Sequence, residues 1–212
     1  AKGSLTLGTS TTISLYVIPP VFSAFHQQYP NIELKLVNRN SENILKALLD
    51  HEIDLAIMEG KNEITPVKYQ FFLTDEVIPV CSAKSDLVKK KSITPEELKN
   101  IPVALRERGS GTLAAVNEAL QKSKVSIADI KQKIVLGGTE ALKNFLLDDV
   151  CLGFLPLGSV ARQLENGELF RLTIPGLQIH RAFYFVQRRG SEADRINQLF
   201  IKLAVSHYNK KL

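Results

Sequence analysis

Apolar residues in this chain recur with two alternating periods, and that alternation constrains the fold more than any other feature. Leu5 and Leu7 alternate with small polar residues as a strand does. After the polar run Thr9-Ser10-Thr11-Thr12, the residues Leu15, Ile18, Phe22 and Phe25 recur at the three-and-four spacing of one helix face. The pattern then repeats. Ile32, Leu34 and Leu36 mark a half-buried strand, Ser41 stands where a helix bearing Ile44, Leu45, Leu48 and Leu49 needs a cap, and the run from Leu55 to Met58 marks a buried strand. Strands alternating with helices predict an α/β fold with a mostly parallel sheet covered on both faces.

The second half follows the same grammar. Val77 to Cys81 forms an apolar strand, and Thr94-Pro95-Glu96-Glu97 combines an N-cap, a first-turn proline and a capping-box glutamate, so a short helix should start at Pro95. Strands are expected at Val103 to Leu105, Ile134 to Leu136 and Leu152 to Leu155, followed by an Asn166-Gly167 turn and further strands at Leu169 to Ile174 and Phe183 to Val186. Ser191 is the expected cap of a last helix carrying Ile196, Leu199, Phe200 and Leu203.

Composition narrows the class. With 212 residues, 44% of them hydrophobic, the chain is long enough for two compact lobes. No apolar run approaches the roughly eighteen residues of a membrane span, and the start leads into a strand instead of a secretion signal, so a soluble cytoplasmic protein with no membrane partner is expected. Cys81 and Cys151 lie in apolar runs and read as buried thiols. The net charge is +5, but apart from Lys89-Lys90-Lys91 and Arg188-Arg189 the basic residues are scattered, and no recognition helix or zinc-ligand array accompanies them. Direct nucleic-acid contact by this segment is not indicated.

Ligands of open parallel sheets gather outside the carboxyl ends of the strands, where helices aim their N-termini. Three loops hold that position. Ser10, Thr11 and Thr12 offer more hydroxyls than one helix cap uses. In the loop Arg106 to Thr112, Gly109 and Gly111 let the backbone approach a bound group while Arg106, Ser110 and Thr112 supply donors. In Gly137-Gly138-Thr139-Glu140, Thr139 is placed as a cap, and Glu140 reads as structural because its charge would repel an anion. Each loop alone also makes an ordinary turn or cap; together they predict an anion or polar-metabolite site. Catalytic signals are thin: His26, His51, His180 and His207 stand beside no cysteine or carboxylate at metal-ligand spacing, and no nucleophile elbow or phosphate-binding glycine motif occurs. No enzyme, metal or cofactor is expected.

These motifs, in this order, resemble one family. L-x-L-G-T-S-T-T, then YPNIELKL, EIDLAIMEG, RERGSGT and GGTEALKNFLLDDVCLGFLP are similar to successive segments of the effector-binding domains of LysR-type transcription regulators, over nearly the whole chain. RERGSGT points toward the branch that resembles sulfur-metabolism regulators. The resemblance implies two Rossmann-like lobes with a ligand cleft between them, as in type II periplasmic binding proteins, with lobe I at residues 1–82 and 183–212 and lobe II at residues 83–182. It further implies an N-terminal winged helix-turn-helix that contacts DNA, absent from this sequence, and a homodimer or homotetramer, with the first helix and the strand IELKLV as the dimer surface. Carried over residue by residue, ligand contacts fall on Ser10 and Thr12, on Ser110, Gly111 and Thr112, and on Thr139, with Thr11 and Arg106 beside them. Sulfite, sulfate or a related oxyanion is the first expected effector. Two positions depart from the pattern: Ile13 replaces a polar residue of some sulfur-sensing relatives, and Asp148-Asp149-Val150-Cys151 replaces a small-residue run. The rival expectation is an oxyanion-binding protein of a transporter, which shares the fold.

Overall fold

The computed structural model describes residues 2–60 and 66–209. In chain order the elements are β1 (Gly3–Thr9), α1 (Thr11–Tyr16), α2 (Ile18–Gln28), β2 (Ile32–Asn38), α3 (Ser41–Leu49), β3 (Leu55–Glu59) and β4 (Val67–Ser82). There follow α4 (Leu87–Lys90), α5 (Pro95–Leu98), β5 (Val103–Arg106), α6 (Gly111–Lys122), β6 (Gln132–Leu136), α7 (Thr139–Asp148), β7 (Leu152–Pro156) and α8 (Leu157–Glu165). The last three are β8 (Leu169–Arg171), β9 (Ile179–Arg188) and α9 (Arg195–Asn209). Two units result: residues up to Thr74 and from Ala182 onward form one, and Asp75–Arg181 form the other. Both divisions fall inside a strand, β4 and β9. Residues 75–82 therefore pack with the second unit, whereas the sequence reading places them in lobe I.

In the first unit β2, β1 and β3 run parallel, and β9 closes the order antiparallel to β3. Alternation decides which face each side chain covers. Leu55, Ile57, Phe183 and Phe185 join Ile18, Val21, Phe25 and Phe200 on one side. Ala56, Met58 and Val186 join Ile44, Ala47 and Leu48 of α3 on the other. The second unit has the same plan: β6, β5 and β7 are parallel, β4 is antiparallel to β7, and β8 pairs with β4. Leu105, Leu152 and Phe154 face one cluster, Ala104 and Leu155 the other. Burial on both faces is why these strands read as continuous apolar runs.

Several expected details shift. The first helix is two helices, because Pro19 and Pro20 cannot donate to the carbonyls of Leu15 and Tyr16 and instead open α2 as its first-turn prolines. At the junction of the two helices the Val17 carbonyl accepts a hydrogen bond from the Tyr208 hydroxyl at 2.7 Å. Ser41 is not the cap of α3: Asn40 is, accepting from Asn43 N at 3.0 Å, while the Ser41 hydroxyl donates to Glu59 Oε2 at 2.5 Å. Nor does Ser191 cap the last helix. Asp194 Oδ1 accepts from the backbone N–H groups of Ile196 and Asn197, both at 2.9 Å. The strand expected to run on to Ile174 stops at Arg171, with Thr173 making one isolated bridge to Ser92. The capping box at α5 forms as expected, Thr94 accepting from Glu97 N at 3.1 Å and Glu97 accepting from Thr94 N at 2.7 Å.

Cys81 and Cys151 are buried and free, each in a different hydrophobic cluster. Burial pushes both thiols up to about 11, so the reactive thiolate is scarce at neutral pH. Among the described residues no helix is long and apolar enough to cross a membrane.

Candidate functional site

In the first unit, Ser10 follows the carboxyl end of β1, and its backbone N–H donates to the Ile57 carbonyl of β3 at 3.2 Å. Ser10 occupies the N-cap position of α1, yet its side chain makes no cap hydrogen bond. The residue is 2% exposed, and its Oγ is buried with no hydrogen-bond partner among the described residues. Buried hydroxyls are nearly always satisfied, which singles this one out. Thr12 is buried and Thr11 half-buried in the first turn of α1, while the Thr9 and Ser14 hydroxyls bond to each other beneath them.

In the second unit, β5 ends on Arg106, buried at 3% exposure. Its Nε and Nη2 donate to Glu107 Oε2 and Oε1 at 2.8 and 2.9 Å, and Nη1 donates to Thr139 Oγ1 at 2.9 Å. Glu107 also accepts from Gly138 N at 3.3 Å. One residue pair therefore ties the loop after β5 to the loop after β6. Burial of the Glu107 carboxyl raises its pKa, but the hydrogen bonds and charge of Arg106, with the backbone donors, outweigh that and hold it below its ordinary value. The guanidinium expected beside a ligand thus spends its fork on Glu107 and meets the loop after β6 through Thr139.

Ser110 caps α6, accepting from Leu113 N at 3.3 Å, so Gly111 and Thr112 form the first turn of a 12-residue helix. Thr139 is fully buried and opens α7, but it is not the cap its spacing predicts. Gly138 holds that position at φ 86°, a conformation that glycine adopts without strain. Glu140 pairs with Lys143 at 2.9 Å on the same helix, the structural role expected of it. Among the described residues, no group of three or more His, Cys, Asp or Glu could hold a metal ion.

Sequence reasoning missed two members of this half. Arg181 Nη1 donates to Thr112 Oγ1 at 2.9 Å, and its Nε donates to Asp75 Oδ2 at 2.8 Å. Neither residue belongs to a motif, and they are 106 positions apart in the chain, so no local signal links them. In the first unit, buried Glu59 at the end of β3 was also missed.

Two α/β units with hydroxyl-bearing loops at the carboxyl ends of parallel strands define a small-ligand-binding module, and the comparisons agree. The LysR substrate binding domain family matches residues 1–209, and the chain belongs to that family. The HTH-type transcriptional activator CmpR of Synechocystis is 29% identical over 206 residues, which cover 97% of this chain and 66% of CmpR. The uncharacterized HTH-type transcriptional regulator YeiE of Escherichia coli K12 is 27% identical over 89% of this chain and 63% of YeiE. The chain thus spans about two thirds of the length of these relatives. Among solved structures, the regulatory domain of Synechocystis CcmR in complex with 2-PG is similar with a TM-score of 0.86, 28% identity and 97% of each chain covered.

Proposed function

We propose that this chain is the effector-sensing segment of a cytoplasmic LysR-type transcription regulator that is not an enzyme. It binds a small anion through the loops after β1, β5 and β6 and passes the signal, as a dimer or tetramer, to winged helix-turn-helix domains on DNA. Ligand contact is assigned to Ser10, Thr11 and Thr12, and to Ser110, Gly111, Thr112 and Thr139, with Arg106 acting through Thr139. The observation that carries this reading is the buried, partnerless Ser10 Oγ in a loop whose neighbours are hydroxyl residues. An acceptor-rich ligand also suits the second unit, where the first turns of α6 and α7 present backbone N–H groups and the charges of Arg106 and Arg181 are already met by carboxylates.

Sulfite and sulfate remain candidate effectors, and the 2-PG in complex with the CcmR regulatory domain adds another candidate to test. Only a ligand that prefers one arrangement of the domain can shift its population. The dimer surface is assigned to α2 and β2, where Phe22, Leu34 and Leu36 are half-buried. The transporter reading is not favoured, since the two relatives above are named as regulators.

Calorimetric titration with sulfite, sulfate, thiosulfate, phosphate, acetylserine, 2-PG and small aromatic carboxylates tests the reading. Saturable binding to at least one anion is expected, weakened about tenfold or more by Ser10→Ala and by Thr112→Ala. Binding that survives both substitutions unchanged, or no binding across the panel, refutes the assignment.

A further inference from the structure

The second unit is bounded by an ion pair. Asp75 is its first residue on β4 and Arg181 its last on β9, so the pair sits where both connecting strands leave the unit. Arg181 is buried, with a side-chain exposure of 4%, and Asp75 half-buried at 15%, and the two contacts to Asp75 Oδ2 measure 2.8 and 2.6 Å. The remaining arm of the guanidinium reaches Thr112, itself 2% exposed, in the first turn of α6.

Hydrogen-bond inventory fixes what this does to Thr112. A guanidinium only donates, so the Thr112 oxygen accepts and its hydrogen points away from Arg181, leaving the hydroxyl to act as a donor on its other side. The arrangement has a counterpart in the same unit. Arg106, neutralised by Glu107, donates in the same way to Thr139 in the first turn of α7. Two threonines at two helix starts are thus each held by a carboxylate-paired arginine.

We propose that Arg181 is a positioning residue for the effector. It presets the Thr112 hydroxyl as a donor toward ligand oxygens, and through Asp75 it joins that hydroxyl to the strands β4 and β9 at the edge of the unit. Loss of either partner leaves Thr112 able to rotate and to offer its lone pairs, which an anion rejects. A lysine at position 181 keeps the charge but lacks the planar fork that serves both partners at once. This inference rests on the effector reading given above.

A double-mutant cycle on binding separates positioning from a general structural role. The dissociation constants for sulfate and for 2-PG are measured by calorimetry on the parent, Thr112→Val, Arg181→Lys and the double variant, with thermal unfolding of each. Thr112→Val is expected to weaken the anion that binds by about tenfold or more. Arg181→Lys should weaken it comparably although Thr112 is intact, and the double variant should bind no worse than Thr112→Val alone. Asp75→Asn, which keeps both Arg181 and Thr112, replaces Arg181→Lys in the cycle if the latter does not fold, with the same expectation. Losses that multiply, or an Arg181→Lys protein that melts earlier but binds like the parent, overturn the inference while Ser10→Ala and Thr112→Val still report the effector site. Absence of binding, or indifference to both of those variants, removes the effector reading and this inference with it.

Discussion

The Asp75→Ala protein is expected to be less stable than the parent by about 3–5 kcal/mol, because the substitution strands a buried guanidinium. Arg181 holds its charge at 4% side-chain exposure, and its ion pair is with Asp75. Removing the carboxylate leaves the cation at a position where 4% side-chain exposure gives it little hydration in exchange. The exposed pair Asp86–Lys89 supplies the contrast: both side chains are more than 80% exposed, so Asp86→Ala is expected to leave the urea midpoint where it was. Urea unfolding of both variants checks the argument. A loss below about 1 kcal/mol in Asp75→Ala means that solvent reaches Arg181 and that the pair behaves as a surface one.

Phe200→Ala is the other large effect, expected to cost about 3–5 kcal/mol in the first unit. Phe200 is fully buried on α9, and its ring meets those of Phe25 at 5.3 Å and Phe22 at 5.7 Å, both edge to face. The cavity left by the ring would open between α9 and α2, whose apolar faces rest on the sheet and cannot both close in. Leu203→Ala, at a half-buried position on the same helix, should cost less than half as much. Equal losses would mean that α9 is held by its whole surface and not by this aromatic cluster.

Much of the architecture was legible in the residues. The two-residue period of Leu5, Leu7, Ile32 and Leu34, and the continuous runs at Leu55 to Met58 and Leu152 to Leu155, mark strands because burial on one or both faces demands those patterns. Helix starts were harder. Asn40 and Asp194 hold the positions assigned to Ser41 and Ser191, because neighbouring polar residues are all chemically able to cap and only the incoming backbone selects one, while Gly138 displaces Thr139 because that position takes a φ of 86°. The first half of β4 escaped notice because Tyr69, Gln70 and Phe71 are half-buried or exposed there and give no clean alternation.

The loops of the candidate site were legible in the residues; their wiring was not. Hydroxyls and glycines after strands announce a polar site, since few other uses bring so many to one position. What the residues do not announce is that Arg106 turns to Glu107 and Thr139, or that Thr112 leans on Arg181 from the far end of the unit. Those bonds join residues that only the folded sheet brings together.

Anion binding is proposed at the loop after β1 in the first unit and at the loops after β5 and β6 in the second. Amide chemical-shift mapping of isotope-labelled protein titrated with 2-PG and with sulfate tests it most directly. Saturable shifts are expected, concentrated at Ser10 to Thr12, at Ser110 to Thr112 and at Gly138 and Thr139. Saturable shifts confined to other surfaces, with these amides unmoved, would contradict it.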